Sequence, residues 1–318
     1  MTTEQNILDE SLEQEIHQPL SFARTAFSIG MTLLAFTLTA AALLPLFAIL
    51  LELLRQGFPQ LMKLQEVHLF GLPVPLPEVL VSLPAPEGIE NRSNGFANAI
   101  VGTLMMVGIA VLFSVPFGVM TGIFLSEFSK GSAVANYIRF IIVILSSVPS
   151  IIVGVFAYGV IVLTTKGASA IAGGFALSVI MLPIVALSTE EALKLVPTSH
   201  RLASAALGGG RFQTTVRIVL TSALPGITTG VLLAVARAAG ETAPLIFTAR
   251  STQFWPKLSL QGLLEPTPSL SVLIYNYASS PYKQQNQLAW TASIVLIGLV
   301  LLSSILSRQV TRKRLKIR

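Results

Sequence analysis

Long apolar stretches separated by short polar segments run through most of this 318-residue chain. A transmembrane helix needs about 20 predominantly apolar residues, and a window of about 19 residues locates the candidates. Six stretches qualify and predict six transmembrane helices, over residues 28–53, 98–125, 137–163, 168–188, 225–248 and 288–307. The predicted fold class is therefore all-α, a polytopic membrane protein.

The amino-acid composition agrees with a membrane-embedded protein. Hydrophobic residues make up 53% of it and charged residues 11%, with a mean hydropathy of +0.74, far from an ordinary soluble domain. No cysteine occurs, which excludes disulfides and thiolate metal sites. The three histidines, His17, His68 and His200, lie on dissimilar segments, so we expect solvated side chains and no metal site.

The polar segments divide the chain into regions. The N-terminal tail lacks the basic start of a signal peptide, so the first apolar stretch is expected to be a retained helix. The predicted regions are a polar cytoplasmic tail (1–27), a first transmembrane helix (28–53), an extracytoplasmic proline-rich loop (54–97), a core of five helices (98–307) that includes an inside loop (189–221), and a basic cytoplasmic tail (308–318).

The distribution of lysine and arginine predicts the orientation. With both termini inside, 13 of these residues lie on the inside and seven on the outside, and Arg237 falls within a helix. Cytoplasmic segments carry the excess of positive charge, so both termini are expected in the cytoplasm. The net charge of +6 is concentrated in the tail after the last apolar stretch, which is typical of a membrane anchor and not of a nucleic-acid-binding surface.

The segment ARAAGETAPLIFTA, residues 236–249, places Arg237 and Glu241 inside a predicted helix. An arginine at the centre of a membrane costs about 2.5 to 3.5 kcal/mol on insertion scales, so intramembrane charges are functional hypotheses. A spacing of four residues puts both side chains on one helix face. Two interpretations stay open: a structural ion pair, or an anion-binding arginine held by its glutamate, with Thr242 beside them on the same substrate pathway.

Gly240 and Pro244 flank this pair and predict a hinge. Pro244 cannot donate a hydrogen bond to the Gly240 carbonyl, so it would loosen a helix that continues past it. The alternative is an incidental kink of the kind that membrane helices tolerate.

Small residues recur at four-residue spacing on the same predicted helix: Gly226, Gly230, Ala234 and Ala238. Such a row indicates a close helix–helix contact, either with a second protein chain or within this one.

The inside loop reads TEEALKLVPTSHRLASAALGGGRFQTTVRIVLT and predicts a helix-turn-helix that lies against the membrane surface. Its three glycines either end a helix or shape a turn that docks onto another protein. They do not form a phosphate loop, because the GK[ST] ending and a preceding strand are absent from the sequence. Any ATP would therefore be bound by a partner.

This loop resembles the EAA loop of ABC importer permeases, with Ala203, Gly208, Ile218 and Leu220 on the pattern. Leu202 stands where the pattern has glutamate, Ser204 at its second alanine and Thr221 at its proline. The resemblance implies that the loop couples the protein to ATPase subunits, through Arg201, Ala203, Ser204, Gly208, Gly209, Gly210 and Arg211.

Longer strings resemble the PstA-type permeases of phosphate importers: the segment around Arg237, QFW from Gln253, NAIVGTLMMV from Asn98, VPSIIVGVF from Val148 and TEEALKLVP from Thr189. The resemblance implies the type I ABC importer permease fold in a bacterial inner membrane. It also implies a second, PstC-type permease, two PstB-type ATPases that bind ATP and Mg, and a PstS-type extracytoplasmic phosphate-binding protein. No cofactor, metal or catalytic residue is expected in this chain.

Three alternatives stay open at the level of sequence. A permease for sulfate, molybdate or phosphonate would share the same features. A secondary anion transporter would also use a charge within the membrane, although an internal repeat would then be expected. A membrane scaffold or receptor would explain the inside loop but not Arg237.

Overall fold

The computed structural model describes residues 22–69, 72–85, 94–129 and 131–315. The chain divides into two units, Met1–Glu52 and Leu53–Arg318. The described helices and strands are α1 (Phe22–Leu61), β1 (Leu64–Leu69), β2 (Leu72–Pro77), α2 (Glu78–Val81), α3 (Ala97–Phe128), α4 (Ala133–Ser147), α5 (Ser150–Thr165), α6 (Ala170–Lys194), α7 (Thr198–Ala206), α8 (Arg211–Gly240), α9 (Ala243–Thr248), α10 (Leu270–Ala278) and α11 (Lys283–Leu315).

Helix α1 begins six residues before the predicted boundary and ends eight residues after it. The predicted tail therefore contributes its last turn to the helix, and the earlier residues of that tail, His17 among them, lie outside the described part of the chain. None of the residues in the most apolar window of α1 is buried. Such an all-round apolar surface suits contact with lipid.

The predicted proline-rich loop contains regular structure that the sequence did not indicate. Strands β1 and β2 form an antiparallel pair, with Leu64 opposite Pro77 and Leu69 opposite Leu72. Proline cannot donate to a ladder, but an isolated pair has only edge strands, so the prolines of β2 are tolerated. The hydroxyl of Ser82 donates to Gln65 Oε1 at 3.0 Å and fastens the hairpin to the residues that follow it.

The structure divides the third predicted helix, 137–163, into two helices. Helices α4 and α5 meet at an angle of 100° at Val148 and Pro149. Val148 is extended, with φ −69° and ψ 129°, because a residue before proline is forced out of the helical region. Among the described residues, five other helices are long and apolar enough to cross a membrane, and the bent pair makes a sixth if it is one span.

Helices α3, α6 and α8 form the centre of the second unit. Their buried residues share one cluster that includes Met106, Met181 and Ala234. A Cβ on Gly122 of α3 would lie 2.6 Å from Thr189 Cβ of α6, so glycine allows these two helices to approach closely. The small-residue row on α8 faces α6 in the same way, since Gly230 packs against Ser188. The predicted close contact therefore lies within this chain.

The fifth predicted helix, 225–248, has different bounds in the structure. Helix α8 begins at Arg211, passes through Pro225 and ends at Gly240, and the short helix α9 follows as a separate element. Arg237 consequently lies in the last turn of a helix and not near the middle of one. Helix α11 likewise continues through most of the predicted basic tail, up to Leu315.

Candidate functional site

Arg237 and Glu241 form an ion pair at the end of α8. Arg237 Nε lies 3.5 Å from Glu241 Oε1, with the arginine side chain 58% exposed and the glutamate side chain 17% exposed. A cation in the last turn also interacts favourably with the negative end of the helix dipole. The four-residue spacing thus brings the charges together, although Glu241 itself lies just beyond the helix.

The break after Gly240 replaces the loosened but continuous helix that we predicted. Glu241 is extended, with φ −71° and ψ 127°, and Thr242 then caps α9 by accepting hydrogen bonds from Leu245 N and Ile246 N. Pro244 occupies the first turn of α9, where its missing N–H costs nothing. It therefore starts a helix and does not kink one.

The residues that follow Gly240 are held by neighbouring helices, whereas Gly240 itself has open space around it. Pro244 is buried, and a Cβ on Gly154 of α5 would lie 2.6 Å from Pro244 Cα. The backbone oxygen of Glu241 accepts a hydrogen bond from Ser271 Oγ at 2.9 Å. The break is thus held by α5 on one side and by α10 on the other, whereas a Cβ on Gly240 would meet nothing.

The inside loop is mostly helical, and α7, the glycine turn and the start of α8 form a helix-turn-helix. Its first residues belong to α6, which ends at Lys194, and its last residues are the beginning of α8. Only α7 is a separate helix, and its turn into α8 uses Gly208 at φ +80°, a conformation that favours glycine. His200 is exposed on α7.

Arg201, a member of the predicted ATPase-coupling set, forms an ion pair inside the chain. Its Nη2 donates to Glu127 Oε1 at 2.7 Å and its Nε to Glu127 Oε2 at 3.2 Å. The side chains are 18% and 7% exposed. Arg201 also donates to the carbonyls of Val196 and Leu193, at 2.7 and 3.0 Å. This two-pronged contact fixes α7 against the end of α3.

Two further loop residues from the predicted set also anchor the turn. Arg211 donates to the backbone oxygen of Glu127 and lies over the ring of Phe128, with 5.5 Å from its Cζ to the ring centroid. The buried hydroxyl of Ser204 lies 2.7 Å from Thr214 Oγ1, across the turn. Ser204, which departs from the family pattern, thus has a hydrogen-bond partner in Thr214.

The outward face of this turn is apolar. Leu202, Leu207 and Phe212 are 70%, 90% and 71% exposed, and Ala203 and Gly210 are exposed beside them. Arg201 and Arg211 therefore bind the loop to the end of α3, while the exposed leucine and phenylalanine side chains are available to another chain.

Glu190 is a second buried carboxylate that the sequence reasoning did not single out. It is 2% exposed and accepts from Arg139 Nη2 and Lys194 Nζ, both at 2.6 Å. The four-residue spacing to Lys194 was a readable signal. Arg139 is the other partner of Glu190, and Arg201 is the partner of Glu127. Both arginines come from distant segments, so sequence spacing gave no signal for these pairs.

Two of the strings that suggested the resemblance meet in space. Asn98, fully buried at the start of α3, donates through Nδ2 to the carbonyl oxygens of Thr252 and Phe254, at 3.0 and 3.3 Å. This contact lies at the end of the bundle opposite α7. The segment that contains Gln253 is thereby fastened to α3.

Taken together, apolar spans, a charged pair at a helix break and an exposed apolar turn are features of a membrane-embedded transport subunit. The family of binding-protein-dependent transport system inner membrane components matches residues 114–316. The chain belongs to this family, and the predicted resemblance is confirmed.

Curated relatives are similar over most of the chain. The phosphate transport system permease protein PstA of Haemophilus influenzae is 40% identical over 229 residues, which are 71% of this chain and 78% of the relative. The protein of the same name from Yersinia pestis is 42% identical over 225 residues, 71% of this chain and 75% of the relative. PstA 1 of Mycobacterium tuberculosis is 31% identical over 294 residues, 92% of this chain and 90% of the relative.

Solved structures support the fold. The chain is similar to a chain of the MetNI methionine ABC transporter in an inward-facing conformation, with a TM-score of 0.56, 22% identity, and coverage of 68% of this chain and 94% of that one. A chain of a bacterial alginate ABC transporter gives a TM-score of 0.52 at 14% identity, covering 69% and 78%. The predicted permease fold is confirmed.

Proposed function

We propose that this chain is the transmembrane permease subunit of an ATP-driven importer that carries inorganic phosphate into the cytoplasm. The observation that carries the proposal is family membership together with relatives of 40% and 42% identity whose names specify phosphate transport.

The geometry of Arg237 supports an anion as cargo. The shortest contact between the two side chains is 3.5 Å from Arg237 Nε to Glu241 Oε1, and within the described part of the chain the guanidinium donates no hydrogen bond. A guanidinium offers a planar fork of donors that matches the oxygens of phosphate. Arg237 can therefore stay oriented by Glu241 while it binds phosphate through the other edge of the guanidinium.

The same proposal includes the partners. A second, PstC-type permease would complete the pathway, and a PstS-type binding protein would deliver phosphate from outside. Two PstB-type ATPases would bind ATP and Mg, since the sequence carries no phosphate loop, and the exposed Leu202, Leu207 and Phe212 would dock onto them. Both termini would lie in the cytoplasm of a bacterial cell, the orientation that the distribution of positive charge favours.

Uptake of labelled phosphate tests the proposal in cells that lack their own importer and carry this chain with its partners. Arg237→Gln removes charge-assisted hydrogen bonds, each worth about 1.5 to 3 kcal/mol, so uptake from limiting phosphate should fall about 10- to 100-fold. Excess sulfate, molybdate or phosphonate should leave the wild-type uptake unchanged.

Lys283→Gln is the matched control, because Lys283 is an exposed cation at the start of α11. It should transport normally at equal abundance in the membrane. Equal uptake by Arg237→Gln would reduce the pair to a structural role, and competition by another oxyanion would reassign the cargo.

Glu241→Gln addresses the release of phosphate. If the carboxylate reclaims Arg237 as the anion leaves, the variant should hold phosphate more tightly and turn over more slowly. Uptake with unchanged maximal rate and unchanged apparent affinity would exclude this role for Glu241.

A further inference from the structure

A cavity of about 670 Å³ lies between the end of α5 and the end of α9. Two cations line it, Lys166 directly after α5 and Arg250 shortly after α9. Aromatic and aliphatic side chains, among them Tyr158 and Phe247, complete its wall, and no acidic residue is among the lining residues. The cavity therefore carries two positive charges without a negative one.

The two cations differ from those arginines and lysines that are held in close ion pairs. Arg139, Arg201 and Lys257 each contact a carboxylate at 2.6 or 2.7 Å. Lys166 and Arg250 have no ion pair or hydrogen bond from their side chains within the described residues. Both side chains are exposed, and two cations that line one cavity favour an anion over a cation there.

The backbone at both positions is unusual as well. Lys166 has φ 59° and Arg250 has φ 61°, and the other positive φ angles among the described residues belong to glycines. A side chain in the left-handed region is strained by its Cβ. The helix dipoles favour a cation after each helix but do not require both cations to line one cavity.

One hydrogen bond joins the two turns, and another joins the turn after α9 to a later segment. Ser169 N donates to the carbonyl of Thr248 at 2.9 Å, and Thr267 N to the carbonyl of Ala249 at 3.0 Å. The cavity is therefore a built feature of this end of the bundle, the end that carries Asn98 and that we propose to face outward. Arg237 does not line it.

We propose that Lys166 and Arg250 form a second phosphate-group site, distinct from the Arg237–Glu241 pair. The phosphate group has two possible sources, inorganic phosphate that enters the pathway or the headgroup of an anionic lipid against the apolar wall. The first source rests on the proposed function, and the second does not.

The test is the rate at which a membrane-impermeant acetylating reagent modifies Lys166, measured by peptide mass spectrometry on the complete importer in nanodiscs. Inorganic phosphate that fills about two thirds of the sites should slow the modification about threefold relative to chloride at equal ionic strength. Lys257, paired with Glu265 and outside this cavity, is the internal control and should react at an unchanged rate.

Variants separate this site from the transport site. Arg250→Gln should abolish the protection of Lys166, and Arg250→Lys, which keeps the charge, should retain much of it. Arg237→Gln should lower uptake about 10- to 100-fold yet leave the protection intact. Protection without phosphate uptake by the wild type would refute the proposed function and leave the second site standing.

A lipid arm uses the complex stripped of lipid in detergent. If anionic phosphatidylglycerol slows the modification of Lys166 in an Arg250-dependent manner and inorganic phosphate does not, the headgroup is the ligand. If neither probe slows it relative to Lys257, or if Arg250→Gln leaves the protection unchanged, the proposal is overturned.

Discussion

The ion pair between Glu127 and Arg201 gives the sharpest energetic prediction. Breaking a buried pair by removing one partner costs about 3 to 5 kcal/mol, whereas an exposed pair contributes about 0 to 1. Arg201 is 18% exposed and keeps two carbonyl acceptors when the carboxylate is lost. We therefore expect a coupling energy between these limits, about 2 kcal/mol, equivalent to about 30-fold in an equilibrium constant.

A double-mutant cycle measures this energy directly. Glu127→Gln, Arg201→Gln and the double variant are unfolded by denaturant titration in mixed micelles, and the free energies of unfolding are compared. The phosphate transported per ATP hydrolysed is measured on the same samples. The single variants should lower this ratio, because α7 is then no longer fixed to the end of α3.

Glu191→Gln is the matched control, since Glu191 is an exposed carboxylate near the end of α6 that leads to α7. Its free energy of unfolding should stay within about 0.5 kcal/mol of the wild type. If the effects of Glu127→Gln and Arg201→Gln add to within about 0.5 kcal/mol in the double variant, the pair is not coupled and the reasoning fails.

Two further predictions concern the packing of the broken span and the second buried carboxylate. Gly154→Ala should destabilise the protein by about 1 to 3 kcal/mol and reduce uptake, because the new methyl meets Pro244. Gly159→Ala is the control, because its methyl has open space. Equal unfolding midpoints for the two variants would contradict this packing. Glu190→Gln should lower the free energy of unfolding by about 1 kcal/mol, less than Glu127→Gln does, because its partner Arg139 is 36% exposed and regains water. A loss equal to or larger than that of Glu127→Gln in the same denaturant titration would show that the exposure of the partner does not set the order of the two effects.

Hydropathy located the spans but not the breaks within them. A window of about 19 residues averages over a turn of one or two residues, so the bend at Pro149 and the end of α8 at Gly240 did not register. Both breaks have local signals that can be read in hindsight: a proline with an extended residue before it, and a glycine followed by a proline in the first turn of the next helix.

The charged pairs show where local patterns stop being informative. Spacing of four residues found Arg237 with Glu241, and it could have found Glu190 with Lys194. Glu127 and Arg201 are 74 residues apart, and only the packing of α3 against α7 brings them together. The sequence therefore placed Arg201 in the coupling loop, but it did not indicate that Glu127 is its partner within this chain.

The anchoring of α7 has a consequence for exchanging such loops between permeases. A graft of the loop alone would move Arg201 and Arg211 while leaving behind Glu127, to which both donate. The recipient would receive Arg201 without the carboxylate that pairs with it, and the transplanted turn would lose its ion pair to the end of α3. The coupling module of this protein is thus discontinuous in sequence, and a working chimaera must inherit the end of α3 together with the loop.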